Sequence, residues 1–131
     1  MLQLIPQRYP FIMVDEAVDF SDDSCTTFLA VRNDNYFTIG GDELAETGLI
    51  EHMAQSASAL AGHKSLGAET PPVGIIGEVK HFTCHKRPQI GDRLTTAIKF
   101  GLSFGNVTIA RATTHIGDEL IAEAQLKIFI E

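Results

Sequence analysis

Glu51 and Gln55 are the pair of residues in this sequence best placed to do chemistry together. Four positions apart on a helix, their side chains meet on one side, one turn from each other. Both border an apolar stripe, Ile50, Met53, Ala54, Ala57, Leu60 and Ala61, which recurs at helical spacing through the stretch Thr47–Gly62. A carboxylate at the margin of a buried face needs a hydrogen-bonding partner, and Gln55 is within reach. Two readings of Glu51 stay open on these residues alone. It is a surface carboxylate with its head in water, or a general acid/base held by Gln55.

The other reactive side chains gather less well. His52 follows Glu51, but successive helix residues diverge by about 100°, so His52 reads as a solvent-side or interface residue. His81 and His85 share one face of an extended run, roughly 13 Å apart. That is too far to chelate one ion, but either could line a cleft against the helix. His63 and His115 fall near element ends and read as surface. Cys25 and Cys84 fit no ligand spacing and read as reduced thiols. No metal and no cofactor is expected. Asp42, Glu43 and Glu46 suit the positive end of the helix dipole, and Thr47 is a possible cap. Gly40-Gly41 offers backbone freedom just before the helix, and Gly62 and Gly67 offer stops.

These residues need a scaffold, and the pattern gives one. Ile12–Phe20 reads as a strand, Ser21–Ser24 as a turn and Cys25–Val31 as the returning strand. The small residues Ala54, Ala57, Ser58 and Ala61 let the helix axis lie close to a broad cover such as a curved sheet. Gly67–Pro72 is a connection. Extended runs follow at Val73–Lys86, Arg93–Gly101, Val107–His115 and Leu120–Ile130, with turns at Pro88–Asp92, Ser103–Asn106 and Ile116–Glu119. Two strands, one long helix and a four-strand meander make an α+β architecture. At 131 residues the chain suits one domain, 1–131. A formal charge of −7 with scattered basic residues excludes nucleic acid and anionic membranes as expected partners. Met1–Pro6 carries no basic stretch and no run is apolar enough to cross a bilayer, so the cytoplasm is the expected compartment.

Several stretches resemble one family, the hot-dog fold β-hydroxyacyl-[acyl-carrier-protein] dehydratases. Ile5-Pro6-Gln7-Arg8-Tyr9-Pro10-Phe11-Ile12-Met13-Val14-Asp15 is similar to their opening L-P-H-R-Y-P-F-L-L-V-D segment. Glu51-His52-Met53-Ala54-Gln55 is similar to their helix motif E-A-M-A-Q. Arg87-Pro88 followed by Gly91-Asp92-Arg93-Leu94 is similar to their R-P-V-x-P-G-D-x-L turn, and Ala122-Glu123-Ala124 to their A-E-A strand. The resemblance implies a long central helix wrapped by an antiparallel sheet. It also implies dimers or larger assemblies with active sites shared between subunits. The implied substrate is an acyl thioester of acyl carrier protein or coenzyme A, in fatty acid or polyketide-type biosynthesis. A loop His takes the α-proton and the helix Glu protonates the leaving hydroxyl. An N–H near the helix start polarises the thioester carbonyl. Carried over, Glu51 is the acid/base and Gln55 its orienter; beside them, Phe37, Gly40, Gly41, Gly48 and His81 are the expected substrate-binding set.

This sequence departs from the family at two points. The loop Tyr36–Glu46 contains no His and no Pro, and Gln7 stands where the family has His. In this the chain is similar to dehydratase-like proteins of specialised polyketide and aryl-polyene-type pathways. Three functions follow from the resemblance: a dehydratase relying on Glu51, a non-catalytic hot-dog subunit paired with a catalytic homologue, or an acyl thioesterase.

Overall fold

The computed structural model describes residues 4–64 and 74–130. Its centre is α1, Glu46–Lys64, longer than the expected helix by one residue at its start and two at its end. The expected connection Gly67–Pro72 lies outside the described residues. Around α1 run β1 (Glu16–Val18), β2 (Ser24–Ala30), β5 (Gly74–Cys84), β6 (Arg93–Phe104), β7 (Val107–Ile116) and β8 (Glu119–Ile130). They form one antiparallel sheet in the order β1-β2-β6-β7-β8-β5. The short strands β3 (Thr38–Ile39) and β4 (Glu43–Leu44), which the sequence pattern did not reveal, make a separate hairpin just ahead of α1.

The sheet alternates strictly where it faces the helix. Cys25, Ile98, Ala112 and Ala124 form one cross-strand row of buried residues, and Phe100, Ala110 and Leu126 another. Alanines at the middle of this face share one buried cluster with Ala57 and Ala61 of α1. Small residues on both surfaces allow the axis to lie close to the strands, so α1 is buried on nearly every side from Gly48 to Gly62. The expected helix stripe is therefore too narrow: Ser56, Ser58 and Ala59 are buried as well, and Ile50 is only half-buried. Gly62 does not stop the helix. The Leu4 carbonyl lies where its Cβ would be, so the N-terminal segment closes onto the helix there.

Only three of the nine residues expected in the first strand pair with β2. Residues 11–13 instead lie along α1 as a strap. The Met13 N–H and C=O are taken by helix side chains rather than by a neighbouring strand. Cys25 and Cys84 are free thiols, and burial pushes Cys25 up to about 12. Among the described residues no helix is long and apolar enough to cross a membrane.

Candidate active site

Gln55 is fully buried, and its backbone neighbours fix which way its amide faces. The Met13 N–H, which can only donate, gives a 2.6 Å hydrogen bond to Gln55 Oε1. The Phe11 carbonyl, which can only accept, takes one from Gln55 Nε2 at 2.7 Å. The second Nε2 hydrogen is thereby aimed at Glu51 Oε1, 2.9 Å away. Glu51 itself is half-buried, and among the described residues no hydrogen bond reaches its other oxygen. The result is a carboxyl group held at one oxygen by an immobilised donor and open at the other. Such a group can deliver or accept a proton at a fixed point.

Aromatic rings gather beside it. Phe11, whose carbonyl shares the Gln55 nitrogen with Glu51, packs edge-on to Tyr36 at 4.9 Å, and Tyr36 packs on Phe37 at 5.3 Å. Phe11 and Tyr36 are 47 % and 61 % exposed, and Tyr9, two residues before Phe11, is 79 % exposed, so large aromatic side chains stand open to solvent here. Phe37 and Leu44 crowd the start of α1 so closely that a Cβ at Gly48 would come within 2.7 Å of the Phe37 Cβ.

The other expected binding residues are placed differently. Gly48 does not offer a free N–H, because it donates to Ala45 O at 2.9 Å within the first helical turn. Gly40 and Gly41, at φ 62° and 83°, form the exposed tip between β3 and β4, where left-handed backbone is required. His81 does not face the helix. A bulge between Lys80 and Thr83 puts it at φ 54° and turns it to the outer face of the sheet, beside Arg111, Glu123 and Gln125. A cavity of about 260 Å³ also lies on that outer face, lined by Lys99, Gly101, Ile109, Arg111 and Gln125. His85 pairs with Glu123 at 3.4 Å, and His63 stacks on Phe20. Glu43 and Glu46 are taken up by Arg87, which holds the Glu46 carboxyl below its usual range. Among the described residues no group of three His, Cys, Asp or Glu side chains is placed to hold a metal.

His52 overturns its sequence reading most completely. It is fully buried, neither at the solvent nor at an exposed interface. Nδ1 lies 2.6 Å from the Met13 carbonyl and so carries the proton, which leaves Nε2 to accept from Thr96 Oγ1 at 2.8 Å. Thr96 in turn accepts from Thr114 at 2.7 Å. Thr27, Thr96 and Thr114 stand directly opposite one another on β2, β6 and β7, all facing α1. Thr27 donates to Ser56, whose hydroxyl is committed to the His52 carbonyl at 2.7 Å. The signal was present in the sequence: threonines at inward positions of three strands, and polar residues at 52, 55 and 56 of a helix otherwise rich in alanine.

A family model described as ApeP-like, ApeP dehydratase, matches residues 1–131. The chain belongs to the ApeP-like dehydratase family. Curated relatives of this ApeP-like chain include the 3-hydroxyacyl-[acyl-carrier-protein] dehydratase FabZ of Proteus mirabilis, 31 % identical over 96 % of this chain and 87 % of its own. FabZ of Rhizobium etli is 27 % identical over 99 % and 86 %. Among solved structures, a chain of the dehydratase heterocomplex ApeI:P from Xenorhabdus doucetiae superposes with a TM-score of 0.88. It is 17 % identical and covers 98 % of this chain and 89 % of that one. A hypothetical thioesterase from Streptococcus pneumoniae with coenzyme A superposes at 0.72, 14 % identical, over 88 % and 84 %. The ApeP-like chain therefore has the hot-dog fold, and its family function is that of a dehydratase, a lyase.

Proposed function

We propose that this protein dehydrates 3-hydroxyacyl thioesters carried on acyl carrier protein or coenzyme A, with Glu51 as the acid/base and Gln55 as its orienting donor. The observation that carries this is the immobilised Gln55 amide, whose one uncommitted N–H meets Glu51 at 2.9 Å. In the reaction the substrate loses an α-proton and its β-hydroxyl leaves as water, giving the enoyl thioester. A protonated Glu51 supplies the hydrogen that the departing hydroxyl needs, and Gln55 then donates to the carboxylate left behind. The curated FabZ relatives, whose names specify acyl-carrier-protein substrates, support that carrier class.

A second reading concerns the base that takes the α-proton. The five histidines are His52, His63, His81, His85 and His115, and none hydrogen-bonds to Glu51 or its clamp except His52, which is sealed inside. The exposed aromatic side chains beside Glu51 and the unpaired β5 edge are where a second subunit would sit. We therefore place the missing base on a partner hot-dog chain, identical or homologous. The dehydratase heterocomplex ApeI:P of Xenorhabdus doucetiae supports a homologous one. The test is turnover of 3-hydroxyacyl thioesters of several lengths by the assembly purified from its native cell. Enoyl product should form, and Glu51→Gln should abolish it while fold and ligand binding persist. Full activity of Glu51→Gln would overturn the proposal, and free thiol without enoyl product would make the protein a thioesterase.

A further inference from the structure

His52 takes no part in the chemistry proposed above, yet both its ring nitrogens are committed and it touches three parts of the molecule. It belongs to α1, it holds the strap through Met13, and it reaches the sheet through Thr96. Met13 is the shared point. Its carbonyl takes the His52 N–H and its own N–H goes to Gln55, whose remaining hydrogen goes to Glu51. A continuous path thus runs from Thr114 through Thr96, His52, Met13 and Gln55 to Glu51, in hydrogen bonds of 2.7, 2.8, 2.6, 2.6 and 2.9 Å. Apolar packing alone would hold the strap near the helix without fixing its position along it. Hydrogen bonds to both sides of one residue fix direction and register.

The family's helix motif has Ala where this chain has His52, so an apolar residue can fill that place in a hot-dog helix. Here the place is taken by a side chain that links the strap to a row of threonines. We infer that His52 is a positioning residue: it locks residues 11–13 against the sheet, so that Gln55 presents its one remaining N–H to Glu51. The inference rests on the reading of Glu51 as the acid/base. A purely structural His52 would change stability and leave the carboxyl group where it is.

Three variants separate the two roles. Thr96→Val removes the sheet arm and keeps the ring. His52→Leu removes both arms. His52→Asn keeps a donor near Nδ1 and gives up Thr96. Two readouts are taken on the assembled protein: steady-state kinetics, and the NMR signals of the Gln55 side-chain amide and the Glu51 carboxyl carbon. Thr96→Val and His52→Leu should lower kcat on the order of 10–100-fold with KM within about 3-fold, since misplacement by about an ångström costs rate rather than binding. His52→Asn should recover part of that loss. The Gln55 and Glu51 signals should move together in the impaired variants. Folded Thr96→Val with wild-type kcat and unmoved Gln55 and Glu51 signals overturns the inference, and if His52→Leu fails to fold, Thr96→Val decides alone. If the wild-type assembly forms no enoyl product, the acid/base reading fails by itself. The NMR arm still decides whether His52 positions Glu51.

Discussion

Acid should weaken this fold through His52, by an amount the structure sets. Burial drives the imidazole down from 6.5 to about 4, against the smaller upward pull of the Met13 carbonyl and the Asp15 charge. The unfolded chain therefore takes up the proton first as pH falls, so the unfolded state binds more protons throughout that interval. The stabilisation from a neutral buried His52 is complete above about pH 6.5 and is lost progressively down to about pH 4. A gap of about 2.5 pH units at 1.36 kcal/mol each amounts to about 3 kcal/mol, a large fraction of the total stability of a domain. Carboxylates titrate in the same interval, so the comparison to make is wild type against His52→Asn, by urea unfolding at one fixed protein concentration between pH 7.5 and pH 4. At neutral pH the wild type should be the more stable. The difference should then shrink by about 3 kcal/mol by pH 4. A difference independent of pH would refute the reasoning, because it would mean that the imidazole is not held neutral inside the fold.

Three further outcomes follow from packing and assembly. Ala57→Leu forces a longer side chain between α1 and the sheet at a fully buried position and should cost about 1–3 kcal/mol, read as a lowered Tm. Gly62→Ala puts a methyl group against the Leu4 carbonyl, which is backbone and has little room to give, so it should cost at least about 2 kcal/mol by the same measurement. Light scattering at micromolar concentration should show a dimer or larger species, because the long β5 edge and the exposed aromatic side chains Tyr9, Phe11 and Tyr36 need cover.

Much of the scaffold was legible in the sequence because its signals are local. Helical spacing located α1, a β-branched and aromatic run located β2, extended runs between turn residues located β5 to β8, and the turns between the last strands lie where their Gly, Asp and Asn residues put them. The strand expected at Ile12–Phe20 shrank to Glu16–Val18 because the partners that decide its course, Gln55 and His52, lie some forty residues away. The spacing of Glu51 and Gln55 forecast their contact correctly, since one helical turn is a local fact. His52 was misread for the opposite reason. Periodicity says that its side chain diverges from that of Glu51, but not that the direction it takes is inward toward threonines from three strands. His81 was misplaced by a bulge, which even spacing along an extended run cannot anticipate.

The strap has a consequence for how the molecule is made. A chain emerging from its N-terminus exposes residues 11–13 long before anything exists to hold them. Their partners are side chains of α1, not the strand that follows them. The hairpin of β1 and β2 can close early, but Met13 stays unlatched until His52 and Gln55 stand three residues apart on a finished helix, and His52 in turn waits for Thr96 on β6. The latch therefore closes after most of the core is in place, and Gln55 turns its N–H to Glu51 in the same event. A chain stalled short of the native state carries the Glu51 carboxyl group but not the Gln55 hydrogen bond that holds it.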